Sequence, residues 1–231
     1  MIDLYTWPTP NGQKVSILLE ELGLVYTAKP INIGNGDQFE TTFLAISPNN
    51  KIPAITDSDG PDGRPISLFE SGAILIYLAE KADSPLLGRT ARERYSVLQW
   101  LMWQMGGLGP MLGQAHHFRV YAPERVQYAY DRYTKEAGRL YRVLDQQLAT
   151  SRFLAGDHYS IADIATFPWT RTIERQGQSF DDFPNAKRWF DEIANRPAVQ
   201  RGLDILQDLK PAQMDDKAKE ILFGAQQYQR R

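Results

Sequence analysis

The stretch Asn49-Asn50-Lys51-Ile52-Pro53-Ala54, with its companion Leu68-Phe69-Glu70-Ser71-Gly72, decides the reading of the fold. The first ends a polar loop and enters an apolar strand at a proline. Pro53 has no N–H to give to a ladder, so it belongs at a strand's first position or on an edge. X-Pro bonds are where cis peptides occur, at about 5–6% in folded proteins. A cis Ile52–Pro53 bond would turn the N–H and C=O of Ile52 toward an open cleft. The second stretch leaves a strand and opens a helix at Ser71. A helix start offers free N–H groups at a positive end, and such an end suits a carboxylate. Read alone, Glu70-Ser71 also fits an ordinary serine cap beside an acid.

Upstream, Ile2 to Tyr5 reads as a strand, broken by the prolines of Thr6-Trp7-Pro8-Thr9-Pro10-Asn11-Gly12. Val15, Ile17, Leu18, Leu19 and Leu22 then recur at helical spacing, and Gly23 is a helix stop. Val25 to Ile33 is rich enough in strand formers for a second strand, and Gln38 to Ile46 predicts a short helix. Ala54 to Thr56 and Ile66 to Leu68 are strands joined by turn residues. Ile74, Ile76, Tyr77, Leu78 and Ala79 mark an apolar helix that should lie buried on the sheet. The pattern is an alternation β-α-β-α-β-β-α.

After Ala82-Asp83-Ser84-Pro85-Leu86-Leu87-Gly88 everything reads as helix. Thr90 with Glu93 predicts a capping box and a long helix toward Phe118. Gly106-Gly107-Leu108-Gly109-Pro110 should bend or break it. Pro123 fits a helix's first turn, and Val126, Tyr130, Tyr133, Ala137, Leu140, Leu144 and Leu148 mark one face of that next helix. Ser160 and Asp163 predict a second box, with Tyr159 and Ile164 placed for a hydrophobic staple. Two more helices are expected at residues 184–196 and 198–207. Residues 208–231 are charged and Gln-rich, with one apolar patch at Ile221-Leu222-Phe223, and read either as an ordered extension or as a frayed tail.

Composition narrows the function classes. A formal net charge of −2 offers nothing to nucleic acid or an anionic membrane surface. No apolar run approaches the roughly 18 residues that span a bilayer, and Met1-Ile2-Asp3-Leu4 lacks a signal-peptide charge pattern, so the cytoplasm is the expected location. With 0 cysteines there is no disulfide and no thiolate metal site, and any redox sulfur must arrive on a ligand. His116 and His117 are adjacent, do not share a helix face and have no companion ligands, so no metal is expected.

Asn50-Lys51-Ile52-Pro53-Ala54 followed by Phe69-Glu70-Ser71-Gly72-Ala73-Ile74 resembles the glutathione-binding half of the glutathione S-transferase family. The resemblance covers residues 1 to about 207. Pro8-Thr9-Pro10-Asn11-Gly12 and Trp103-Gln104-Met105-Gly106-Gly107-Leu108-Gly109-Pro110-Met111 resemble its bacterial Nu-class branch of disulfide-bond oxidoreductases. This implies a thioredoxin-like α/β N-terminal domain over residues 1–82, a linker at 83–89, an all-α C-terminal domain over 90–207 and an extension at 208–231.

The resemblance also assigns roles. Ser71 and its N–H would receive the γ-glutamyl carboxylate of glutathione, and Glu70 the amino group. Ile52, ahead of Pro53, would pair its backbone with the cysteinyl unit. Gln38, with Asn50 or Lys51, would reach the glycyl end. Thr9 and Asn11 would serve the sulfur, since both can donate hydrogen bonds at a helix start, where a thiolate is favoured. By residue type alone they also fit a turn and a cap, and Tyr5 fits either the sulfur site or the core. Arg132 matches an arginine that reaches glutathione from a partner subunit, although its position alone describes a solvated charge on a long helix.

The resemblance thus implies an enzyme that reduces a small disulfide with glutathione as co-substrate, with no covalently bound cofactor, as a homodimer. Conjugation of an electrophilic substrate, peroxide reduction, or a glutathione-binding regulator without turnover stay open as alternatives.

Overall fold

The computed structural model describes residues 1–209 and 213–228. Of the expected extension 208–231, residues 210–212 and 229–231 therefore lie outside the described residues. The chain divides into two compact units, Met1–Ile74 with Arg201–Arg231, and Leu75–Gln200.

In the first unit, strands β1 (Ile2–Thr6), β2 (Tyr26–Pro30), β3 (Ala54–Asp57) and β4 (Ile66–Phe69) form a sheet in the order β2-β1-β3-β4. β1 and β2 are parallel; β1–β3 and β3–β4 are antiparallel. The parallel pair is joined by helix α1 (Pro10–Leu22), as such a pair requires a crossover. Pro10 opens α1 where a missing N–H costs nothing, and Gly23 closes it in the left-handed region at φ 63°. β2 is shorter than the predicted 25–33: Pro30 pairs with Thr6, the last residue of β1, and Ile31 N donates to the Thr6 carbonyl at 2.9 Å as the ladder ends.

The predicted helix over Gln38–Ile46 is two pieces. A 3-10 turn at Asp37–Phe39 is followed by α2 (Thr41–Leu44), and Glu40 between them is extended at ψ 138°. After β4, helix α3 (Ser71–Lys81) buries Ile74, Leu75, Leu78 and Ala79. The fold is that of a small mixed sheet with helices, followed by a helical unit, as the α/β-then-all-α reading requires.

The second unit is built on helices α4 (Ala91–Trp103), α5 (Gly109–His116), α6 (Gln127–Thr150), α7 (Ile161–Thr170) and α8 (Pro184–Ala194), and α9 (Pro197–Asp204) comes next. Thr90 and Glu93 cap α4 reciprocally, as predicted. The Gly106–Pro110 stretch does not break the helix. Residues Gln104–Leu108 widen into a π-turn, and Pro110 falls at the start of α5.

Pro123 does not open α6. Ala122 before it is extended at ψ 132°, as a residue preceding proline tends to be, and the helix starts only at Gln127. Val126 is accordingly exposed, and the buried face of α6 begins at Ala137.

α7 is buried almost throughout, and Asp163 is the reason that it can be. Its carboxylate accepts from Ser160 N at 3.0 Å, Ser160 Oγ at 2.8 Å, Leu154 N at 2.9 Å and Trp189 Nε1 at 2.8 Å. The predicted box is thus a folding element.

Candidate functional site

Strand register brings the candidate residues to one end of the sheet. Tyr5 pairs with Ala54, and Ala54 with Phe69. The end of β1, the beginning of β3 and the end of β4 therefore lie side by side. Thr6 faces Pro30, so β2 finishes at the same end. The segments carrying Thr9 and Asn11, Gln38, Asn50 to Pro53, and Glu70-Ser71 all leave from there.

Thr9 is the N-cap of α1, and its Oγ1 accepts from Gly12 N at 3.3 Å. An accepting hydroxyl keeps its own O–H to donate, so the cap and a donor role at a sulfur are compatible. Asn11 lies inside the first turn of α1 rather than in the loop. Gly12 allows the helix start to press on the strand end. A Cβ there would stand 2.3 Å from the Trp7 carbonyl oxygen and 2.4 Å from Thr6 Oγ1. Tyr5, half-buried, rests against Phe43 with ring centres 6.4 Å apart.

The Ile52–Pro53 bond is cis. Glu70 turns the chain from β4 into α3 at φ 71°, and its carbonyl accepts from Ile74 N. Ser71, the first residue of α3, is 3% exposed.

Lys14, a residue with no assigned role in the sequence, is the unexpected member. It projects from α1, is 1% exposed, and its Nζ donates to Ser71 Oγ at 3.4 Å. Burial pushes its pKa down to about 7, and the Glu70 carboxylate opposes that shift. Below about pH 7 a cation stands at the helix start at which a ligand carboxylate is favoured. Gly12 to Leu19 are all buried, so α1 has no solvated face there for a lysine to occupy.

On the other flank, Gln38 is 2% exposed. Its Nε2 donates to the Ile33 carbonyl at 3.2 Å, while among the described residues its Oε1 meets no donor. Asn50 Oδ1 is buried in the same condition. Buried polar atoms are nearly always satisfied, so two idle acceptors at one end of a sheet call for a ligand or water. Lys51 is exposed; its carbonyl accepts from Ser47 Oγ at 2.8 Å and its Nζ donates to Gln227 Oε1 at 2.9 Å.

Comparison with known proteins identifies this arrangement. Residues 9–81 match the profile of the glutathione S-transferase N-terminal domain, and residues 107–197 that of its C-terminal domain. The chain belongs to the glutathione S-transferase family. Over 204 residues it is 52% identical to the disulfide-bond oxidoreductase YfcG of Escherichia coli, which covers 88% of this chain and 94% of that one. A glutathione transferase from Pseudomonas putida, solved with one glutathione disulfide bound per subunit, superposes with a TM-score of 0.85 at 49% identity, covering 88% of this chain and 91% of the other. Another from Burkholderia graminis, with two glutathione molecules per subunit, gives 0.84 at 48% identity, covering 88% and 87%.

Within this transferase fold Arg132 belongs to the other compact unit, apart from the sheet-end residues in the chain's division. It is exposed on α6 and lines a groove of about 640 Å³ with Met111, Tyr128, Tyr133, Glu136 and Arg139. Tyr141 is core, donating to Gln176 Oε1 at 2.6 Å. Tyr133 stacks on Phe118 and His116 on Tyr121. Among the described residues no cluster of His, Asp or Glu has the makings of a metal site, and no helix is long and apolar enough to cross a membrane.

Proposed function

We propose that this transferase reduces small disulfides with glutathione, using sulfurs that come only from its ligands. The observation that carries the reading is the buried Lys14–Ser71 pair at the start of α3, at the same sheet end as the Thr9 cap, in a chain with no cysteine. The γ-glutamyl carboxylate sits at Ser71 and the N-terminus of α3, with Lys14 behind it and Glu70 taking the amino group. The Ile52 backbone, ahead of Pro53, aligns the cysteinyl unit. Gln38, Asn50 and Lys51 receive the glycyl end. Thr9 and Asn11 donate to the sulfur and hold it as thiolate.

The chemistry then runs as two exchanges. A glutathione thiolate attacks one sulfur of the substrate disulfide, an S–S bond forms as the old one breaks, and the departing thiolate takes a proton. A second glutathione thiolate attacks the mixed disulfide at the glutathione sulfur. Oxidised glutathione and a second thiol leave, and two glutathiones have lost the two electrons that the substrate gained. The protein supplies binding, orientation and a lowered thiol pKa.

The reading extends to a cytoplasmic homodimer in which Arg132 reaches glutathione held by the partner copy. The relatives named as a disulfide-bond oxidoreductase and as transferases holding glutathione disulfide or two glutathiones support exchange over conjugation. The test is steady-state reduction of 2-hydroxyethyl disulfide by glutathione near neutral pH, against conjugation of 1-chloro-2,4-dinitrobenzene. Faster conjugation than disulfide reduction would overturn the assignment.

A further inference from the structure

The C-terminal segment lies on the glycyl flank of the site. Its root is fixed to α1. Ser16 Oγ donates to the Gly202 carbonyl at 2.6 Å, and Arg201 Nε donates to Glu20 Oε2 at 2.7 Å. Further on, Asp215 caps helix α10 (Asp216–Phe223), accepting from Ala218 N at 2.7 Å. α10 rests on the loop that leads to Gln38. A Cβ added at Gly34 would stand 3.2 Å from Ala218 Cβ, and one at Gly36 would stand 4.0 Å from Ile221 Cγ2. Ile221 is 5% exposed. The turn after α10 then reaches Lys51.

Gln227 is held at both ends. Its Nε2 donates to the Ile221 carbonyl at 3.0 Å, and this directs its Oε1 to the Lys51 ammonium at 2.9 Å. An ammonium has three donors, so the bond to Gln227 leaves capacity for a ligand oxygen. With its backbone carbonyl held by Ser47 and its tip by Gln227, Lys51 is oriented before any ligand arrives. Ordering a long side chain in advance lowers what binding must supply.

We propose that residues 213–228 act as a strap that positions Lys51, through Gln227, for the glycyl carboxylate, and so makes the site selective for a ligand with a free carboxylate at that end. The strap rests on the assignment of glutathione to this site. Gln227 is a positioning residue and Lys51 the group that touches the ligand.

The experiment compares glutathione with its glycyl monoethyl ester by calorimetry, on the full chain and on Gln227→Ala and Ile221→Asp. The second variant puts a carboxylate into the buried seat of α10. The wild-type chain should prefer the free acid by about tenfold or more, as a charge-assisted bond predicts. Each variant should lose about threefold to tenfold in affinity for the acid and little for the ester, because the advantage of one ordered side chain is lost. An unchanged preference in a variant whose melting temperature matches the wild type would overturn the strap, as would an equal loss for both ligands. If the wild-type chain bound neither ligand, the glutathione site and the strap would fall together.

Discussion

Lys14 Nζ stands 3.4 Å from Ser71 Oγ, and both side chains are almost wholly buried. A lysine so placed is shielded from water as a surface lysine is not. Burial lowers its pKa to about 7, and the nearby Glu70 carboxylate only partly offsets this. Below about pH 7 the pair makes the start of α3 a more strongly cationic seat than the helix alone.

The first prediction is a pH dependence of binding. The folded-state pKa of Lys14, about 7, lies below the ordinary 10.5. The folded chain thus holds less of this proton than the unfolded chain between those values, and stability should rise with pH across that window. Below about pH 7 the lysine is charged in both states and its burial penalty is fully present. A bound carboxylate favours the charged form, so binding above pH 7 must take up a proton. S-methylglutathione, which has no thiol to titrate, should bind progressively more weakly from pH 6.5 to 8.5. Calorimetry in two buffers of different ionisation enthalpy should register the uptake. Flat affinity with no proton exchange would separate Lys14 from the ligand.

Lys14→Met should divide binding from stability. It keeps the volume and removes the buried charge, so the fold should lose nothing near pH 6. Affinity for S-methylglutathione should fall by about tenfold to a hundredfold, the worth of a hydrogen bond to a charged group. Chemical denaturation and ligand titration on the same sample read the two effects separately.

Ser71→Ala should weaken glutathione binding and leave the fold intact, since α3 keeps its Glu70 carbonyl bond to Ile74. A loss of about 1–2 kcal/mol fits a hydroxyl at a helix start. Unchanged affinity would remove Ser71 from the site.

Much of this was legible in the sequence, for local reasons. A proline or glycine beside a change of hydrophobic period marks an element end, which placed Pro53 and Gly23, and the Thr/Glu spacing of a capping box placed Thr90 and Glu93. At Gly106–Pro110 the sequence announced an interruption, a bend or a break, and the structure puts a π-turn there, because no local pattern distinguishes a widened helix from a broken one. Lys14 was missed because a lone lysine in a helix is ordinarily solvated. Only the burial of the whole α1 segment, a tertiary fact, makes it part of a site. The contact of Gln227 with Lys51 spans 176 residues, and nothing in either neighbourhood announces it.

Asp163 should govern folding alone. Asp163→Ala would leave the N–H groups of Leu154 and Ser160 and the indole N–H of Trp189 buried without their acceptor. Each such orphan costs about 1–3 kcal/mol. The variant should lose at least about 3 kcal/mol in urea denaturation, while the fraction that remains folded binds glutathione normally. A stability within about 1 kcal/mol of wild type, close to the error of such a measurement, would show that water takes over the carboxylate's place.

Thiol activation is the step on which turnover depends. A free thiol ionises near pH 8.5, so only a few per cent is thiolate at pH 7, and donors at a helix start lower that pKa. Thr9 caps α1 and keeps its hydroxyl proton to give, while Asn11 lies in the first turn behind it. If the two share the task, each substitution should slow disulfide reduction by about tenfold to a hundredfold, from the roughly 1.5–3 kcal/mol of a hydrogen bond to a charged group. Thr9→Ala also removes the cap and about 1 kcal/mol of helix stability, so Thr9→Ser is the control that restores both hydroxyl functions. Asn11→Ala removes no cap and should spare the fold. Thiolate absorbance at about 240 nm, titrated against pH for each variant with glutathione bound, reads the pKa directly. The double variant should return it toward the free value. A pKa that stays low there, with turnover near normal, would assign the work to the N–H groups of the α1 start or to Tyr5.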